Sequence, residues 1–258
     1  MGFLPGYGYF VRTAAALQWD EAAIDLRGDA AAWPALAPAR RLGIETLVAG
    51  FCVGEASVSE ELEPFALAAL DERAATCFRL QARDEARHAA FFDRVAAEVG
   101  GVAGASPGER REALRPLLDP AFLDLFEERL PRIASRLAEH VEQLDAAVAL
   151  YHLVLEGVVF TAGQFALLEL LDEDEALPGL RGGVDLVLRD ERWHVGFGAR
   201  ALGLIGGSPH TLEQLVEAAE PALRAWGGAV GPEIRARVLR LHARRLRAAG
   251  LVSEAVAA

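Results

Sequence analysis

The pentapeptide Asp84-Glu85-Ala86-Arg87-His88 returns, in the same frame, as Asp190-Glu191-Arg192-Trp193-His194. Each is a Glu-x-x-His behind an aspartate. Two unaccompanied glutamates, Glu55 and Glu156, precede these motifs by 30 and 35 residues. The order Glu, Glu-x-x-His, Glu, Glu-x-x-His is the ligand order of a carboxylate-bridged dinuclear metal site held inside a four-helix bundle. It predicts an all-α fold and redox chemistry with dioxygen or iron.

The spacing has a physical reason. Residues three apart on a helix project from one face, about 5–6 Å from each other, so a Glu and a His so placed grip one ion or an adjacent pair. Carboxylates bring charge and bridge two cations, and neutral imidazole suits iron or manganese better than magnesium or calcium. Glu55, Glu85, Glu156 and Glu191 carry four negative charges, which balance two divalent ions. Glu55 lies on an apolar stripe with Phe51, Cys52, Val58 and Leu62, and Glu156 lies among Leu153, Val159 and Phe160. A glutamate on a core face is costly unless something compensates it, and coordination does so. The metal candidates are therefore Glu55, Glu85, His88, Glu156, Glu191 and His194. Asp190 is read as a partner of a metal-bound histidine, which usually donates its second nitrogen to a carboxylate.

Composition agrees with the helical class. Of 258 residues 52% are apolar, and Ala, Leu, Glu and Arg, all helix formers, dominate. A net charge of −12 argues against nucleic acid or an anionic membrane surface as a main partner. No run of about 18 uncharged apolar residues appears, so no membrane span is expected. The N-terminal MGFLPGYGYFVRTAA lacks the layout of a signal peptide. Cys52 and Cys77 fall inside helical patterns and are read as small buried hydrophobes in a reducing cytoplasm.

Prolines and glycines punctuate the chain. They predict an irregular stretch over 1–39, then long helices over about 39–63, 66–99, 131–171 and 181–203. Shorter helices are expected around 109–129, and two more at about 210–226 and 231–249. No linker or fixed-period repeat interrupts them, so 1–258 reads as one domain. Glu60, Glu61 and Glu63 form a charged helix end. His140, His210 and His242 have no carboxylate at ligand spacing and read as surface residues. His152 reads as packing or as a hydrogen-bonding partner behind the ligands. Thr161 or Gly163 is expected to mark a helix irregularity. Phe51, Val58, Phe92, Phe160 and Phe165 are expected to wall the site against water.

On these motifs the chain resembles the small subunit of ribonucleotide reductase, and more closely the small-subunit-like ligand-binding oxidases. QWDEAAIDLRGDAAAW (18–33) is similar to the family's N-terminal tryptophan motif. GEASVSEEL (54–62), YHLVLEGVVFTAG (151–163) and RDERWHVGFG (189–198) resemble the first-, third- and fourth-helix motifs. The resemblance implies a ferritin-like four-helix bundle with additional N- and C-terminal helices. It implies that Glu55, Glu85 and His88 hold one metal and Glu156, Glu191 and His194 the other, with some glutamates bridging. It also implies an electron route through Trp19, Asp190 and His88.

Two departures argue against ribonucleotide reduction. The radical tyrosine of the reductase lies four residues after the first ligand histidine, where this chain has Phe92. The tail LRAAGLVSEAVAA contains no tyrosine. One agreement favours the oxidases, which form a valine–tyrosine ether crosslink; the matching positions are Val58 and Tyr151. The resemblance then implies an iron–iron or manganese–iron pair that activates O2 to oxidise a C–H bond. It further implies a hydrophobic small-molecule ligand such as a fatty acid, a homodimer and an external electron donor. The rival readings are a reductase-type radical generator, a ferroxidase or other iron-handling protein, and an amine N-oxygenase. The last carries an extra histidine four residues before the final Glu-x-x-His, where this chain has Val187.

Overall fold

Each of the four long helices starts or stops on a recognisable chemical signal. The structure, a computed structural model, describes residues 5–173 and 175–252. Parts of the N-terminal stretch, of the acidic DEDE segment and of the C-terminal tail lie outside the described residues. The first bundle helix, Pro38–Glu60, opens with proline at a position whose N–H has no helical partner anyway. The second, Glu72–Arg94, opens on Asp71, whose carboxylate accepts from the N–H groups of Arg73 and Ala74 at 2.7 and 3.3 Å. The fourth, Pro178–Ile205, ends at Gly206, whose φ of 78° is a left-handed conformation that favours glycine.

The third bundle helix is composite. Leu144–Val148 leads into a π-helical stretch, Ala149–Phe160, and then Thr161–Leu171 resumes α-helix. A π-helix reaches back five residues for its hydrogen bonds and occurs mostly as a local feature near functional sites. Here its carbonyls take side-chain donors. Thr161 Oγ1 donates to Glu156 O at 2.9 Å, Arg245 Nη1 to Gly157 O at 2.8 Å, and Trp226 Nε1 to Val159 O at 2.7 Å. Trp226 also presses on Gly50 and Gly163, where an added Cβ would stand 2.3 and 2.4 Å from the indole ring. The irregularity expected at Thr161 or Gly163 is corrected: both lie in the regular α-helix Thr161–Leu171, and the π-helical stretch ends just before them, at Phe160. The last two helices, Pro209–Leu223 and Pro232–Ala248, brace that stretch.

Several expectations are corrected. Residues 7–32 are not irregular: they hold the helices Tyr7–Ala16 and Arg27–Ala32, the first burying Phe10 and Ala14. Asp29, fully buried, caps the fourth bundle helix by accepting from the N–H groups of Gly179 and Leu180 at 3.0 and 2.7 Å. The stretch 66–99 is not one helix. Glu63–Ala68 is separate, because Ala69 is extended and Asp71 starts a fresh cap. Residues 131–171 break after Leu130–Leu137. His242 is buried, not on the surface, and its Nε2 lies 3.3 Å from the Leu215 carbonyl.

Pro38–Ala68 and Val141–Leu171 are long and apolar enough to cross a bilayer by length and composition. Their most apolar windows are 67% and 78% buried inside the bundle, which accounts for the apolarity as core packing.

Candidate metal centre

All six predicted ligand residues point into the bundle interior, and all six are buried. His88 Nδ1 lies 3.2 Å from Glu85 Oε2, 3.6 Å from Glu55 Oε2 and 3.8 Å from Glu191 Oε1. His194 Nδ1 lies 3.0 Å from Glu85 Oε1, 3.6 Å from Glu191 Oε2 and 3.9 Å from Glu156 Oε1. Glu85 and Glu191 thus each turn one oxygen to either histidine, the placement of bridging carboxylates. Glu55 belongs to the His88 half and Glu156 to the His194 half. Ligand atoms of Glu55, Glu85, His88 and Glu191 fall within 4.8 Å of one another, as do those of Glu85, Glu156 and His194.

Among the described residues, no hydrogen-bond donor reaches either oxygen of Glu55 or Glu191, nor Oε2 of Glu85 and Glu156, and both Nδ1 atoms lack a hydrogen-bond partner. Buried polar atoms are rarely left so, and a buried charge without a partner is costly. Two cations held between these groups would give them the partners they lack. The donor set of carboxylates and imidazoles suits iron or manganese.

Behind the ligands the two motifs support each other crosswise. His88 Nε2 faces Asp190 Oδ2 at 3.4 Å, and His194 Nε2 faces Asp84 Oδ2 at 3.5 Å. The aspartate that precedes one Glu-x-x-His therefore holds the histidine of the other. Arg87 ties the pair together, with Nη2 2.6 Å from Asp84 Oδ1 and 3.1 Å from Asp190 Oδ2. Each aspartate also accepts from an indole: Trp19 Nε1 donates to Asp190 Oδ2 at 2.6 Å, and Trp193 Nε1 to Asp84 Oδ2 at 3.2 Å. The Arg87 guanidinium lies 5.0 Å over the Trp19 ring.

The His194 half carries extra polar contacts. Gln81 Nε2 donates to Glu85 Oε1 at 3.2 Å and also to Glu156 Oε1. Gln81 Oε1 lies 3.0 Å from His152 Nε2, so His152 sits behind the ligands as expected. Tyr151 Oη donates to Glu85 Oε1 at 3.3 Å. Val58 is fully buried, as are Phe51, Phe92 and Phe160, whose rings pack together with Phe51–Phe92 stacked at 4.6 Å. Phe165 does not join them. It is half-buried beneath the Arg237 guanidinium. On the outer face of the π-helical stretch, a mostly apolar cleft of about 500 Å³ is lined by Leu125, Ile133, Leu150, Val154 and Leu215.

Four carboxylates and two imidazoles packed away from water cannot all be charged. Burial pushes the carboxyls of Glu55 and Glu156 well above the ordinary range and raises that of Glu191. Burial pushes Glu85 the same way, but His194 and His88 override it and hold Glu85 well below the ordinary range. Burial would lower both imidazoles. Asp190, Glu55 and Glu85 instead hold His88 well above its usual value, and Glu85, Asp84 and Glu191 do the same for His194. His152, with burial and the nearby His194 charge against it, falls to about 3 and stays neutral.

Gln81, Asp84, Arg87 and Trp193 are contributors that the sequence reading did not assign. Asp84 had a visible signal, since it holds the same place before its motif as Asp190. Gln81 is one helical turn before Glu85, on the ligand face, and that spacing was its only mark.

The sequence model for the ribonucleotide reductase small chain matches residues 6–218. The chain belongs to the ribonucleotide reductase small-chain family. Its fold is similar to that of solved R2-like ligand-binding oxidases. A valine-to-leucine variant with anaerobically reconstituted Mn/Fe cofactor aligns with a TM-score of 0.80 and 22% identity, over 95% of this chain and 93% of that one. A valine-to-isoleucine variant, likewise with anaerobically reconstituted Mn/Fe, gives 0.82 and 20% over the same shares. A tyrosine-to-phenylalanine variant with aerobically reconstituted Mn/Fe gives 0.77 and 22%, over 96% and 94%. The ferritin-like helical fold and a Glu/His cluster able to bind two metals are thus established together.

Proposed function

We propose that the protein is an O2-dependent oxidase of the small-subunit-like ligand-binding type, acting as one ferritin-like unit. It holds an iron–iron or manganese–iron pair through Glu55, Glu85, His88, Glu156, Glu191 and His194. One observation carries this reading: buried carboxylate and imidazole atoms without hydrogen-bond partners converge in two adjoining sets. When bound, the metal pair supplies the reduction of dioxygen that drives C–H oxidation.

The chain's own residues do the rest. Asp190 and Asp84 orient the ligand imidazoles so that Nδ1 faces the cage. Phe51, Phe92 and Phe160 keep water away from it. Trp19, hydrogen-bonded to Asp190, is the entry for electrons from an external donor. Tyr151 presents its hydroxyl to Glu85, and we assign it, with Val58, to an ether crosslink that removes two hydrogens and delivers them to dioxygen. The apolar cleft beside the π-helical stretch has the volume and lining for an aliphatic ligand. The resemblance supports a homodimer in the cytoplasm.

Metal analysis of protein from its own host, with intact mass before and after aerobic metal loading, tests the reading. Two metals per chain and loss of two hydrogens, mapped to the peptides holding Val58 and Tyr151, support it. Full metal content with unchanged mass removes the crosslink and leaves an oxidase acting on an external ligand. A ferritin-type shell on gel filtration overturns it in favour of iron storage.

A further inference from the structure

The electron route through Trp19 has a counterpart beside it that ends on the other half of the cage. In the first arm, Asp190 Oδ2 accepts from Trp19 Nε1 at 2.6 Å and faces His88 Nε2 at 3.4 Å. In the second arm, Asp84 Oδ2 accepts from Trp193 Nε1 at 3.2 Å and faces His194 Nε2 at 3.5 Å. In both, one carboxylate oxygen joins an indole to a ligand imidazole. The two arms end on different halves of the cage, and Arg87 links their aspartates. They differ in exposure. Trp19 is half-buried, whereas Trp193 is 4% exposed and packs edge-on against His194 with ring centroids 4.4 Å apart.

We propose that Trp193 is a second one-electron donor, serving the His194 half of the cage. This rests on the oxidase reading above. The indole of Trp193 gives up one electron, through Asp84 and His194, once dioxygen has oxidised the metal pair, which is thereby reduced by one equivalent. The Nε1 proton passes along the existing hydrogen bond to Asp84 Oδ2. A one-electron reductant in solution refills the indolyl radical, and the proton returns from Asp84. Burial shields that radical from solvent. The Arg87 charge over the Trp19 ring disfavours loss of an electron there, which gives the second donor a purpose.

The test uses full-length protein containing ring-deuterated tryptophan, loaded with ferrous iron without oxygen, mixed with oxygenated buffer and frozen rapidly for electron paramagnetic resonance. Variants are W19F and the W19F/W193F and W19F/W193H pairs. All are first checked for two metals per chain, a readout independent of turnover. W19F is expected to give a radical whose hyperfine structure narrows on deuteration of tryptophan, and the double variant is expected to lose it. W193H keeps a ring N–H near Asp84 but lacks an easily oxidised ring; combined with W19F it should bind both metals and show no tryptophan radical. Iron oxidation in W19F without a tryptophan radical overturns the relay and leaves Trp193 a packing residue. Failure of oxygen to oxidise the iron in wild-type protein overturns the oxidase reading itself.

Discussion

Metal loading must expel protons, and the structure shows which groups hold them. Without cations the cage holds protons on groups whose affinity for them is raised: the imidazoles of His88 and His194 and the carboxyls of Glu55, Glu156 and Glu191. Only Glu85 is held in its charged form, and it owes that to the two histidines. A metal pair needs neutral imidazoles and ionised carboxylates, so roughly two to five protons leave per pair bound. The sign is fixed. Each group is raised, so its proton competes better as pH falls, and acid weakens binding. With two protons released, the apparent binding constant for the pair falls about 100-fold per unit of pH lowered, and with more it falls further. The dependence ends only above the raised value of the last group to titrate. Anaerobic calorimetry with manganous or ferrous ion, in buffers of different ionisation enthalpy, reads the proton count directly. A release of less than one proton per pair refutes the argument. The same displacement stabilises the fold: metal at about 100 times its Kd adds roughly 2.7 kcal/mol. For a chain of this size that is about 5–10 °C in Tm.

Three other perturbations have calculable outcomes. Arg87→Met strips the buried aspartates Asp84 and Asp190 of their shared cation and is expected to cost about 3–5 kcal/mol in urea unfolding of the metal-free protein. Gly183→Ala places a Cβ 2.0 Å from the Phe91 ring and should cost about 1–3 kcal/mol by thermal melting, because two packed helices must part to admit it. His242, pushed down to about 4 by burial, stays neutral in the fold while the unfolded chain protonates it. Its contribution is therefore complete above about pH 6.5 and is lost as pH falls toward 4, by roughly 3 kcal/mol. His242→Leu should flatten that part of the stability curve.

The candidate ligand set was legible because two Glu-x-x-His motifs, in order with two core-facing glutamates, form a pattern that packing alone does not call for. The bundle was legible because four such positions, in that order, need four helices. What escaped reading was set by contacts distant in sequence. Gln81 gains its meaning from Glu156 and His152, both far along the chain. The π-helical stretch Ala149–Phe160 takes donors from Trp226, in the turn between the last two helices, and from Arg245 in the last helix. Nothing in ALYHLVLEGVVF announces it. His242 looked like a surface residue because no carboxylate neighbours it, yet a backbone carbonyl of the preceding helix holds it inside.

The near-symmetry of the two motifs conceals an asymmetry of restraint. Among the described residues, neither oxygen of Glu55 meets a hydrogen-bond donor, whereas Glu156 Oε1 accepts from Gln81, itself fixed by His152. A carboxylate whose only partners are cations is free to change from one-oxygen to two-oxygen binding as the metal charge changes. One held by a carboxamide is not, so the two halves present different sites to two metals. Gln81→Leu removes that distinction without touching a ligand. Loss of a hydrogen bond behind a metal ligand typically weakens binding about 10–100-fold. The loss should fall on one of the two binding steps, that of the His194 half, in an anaerobic manganese titration. Equal weakening of both steps, or none, would show that the restraint on Glu156 does not separate the sites.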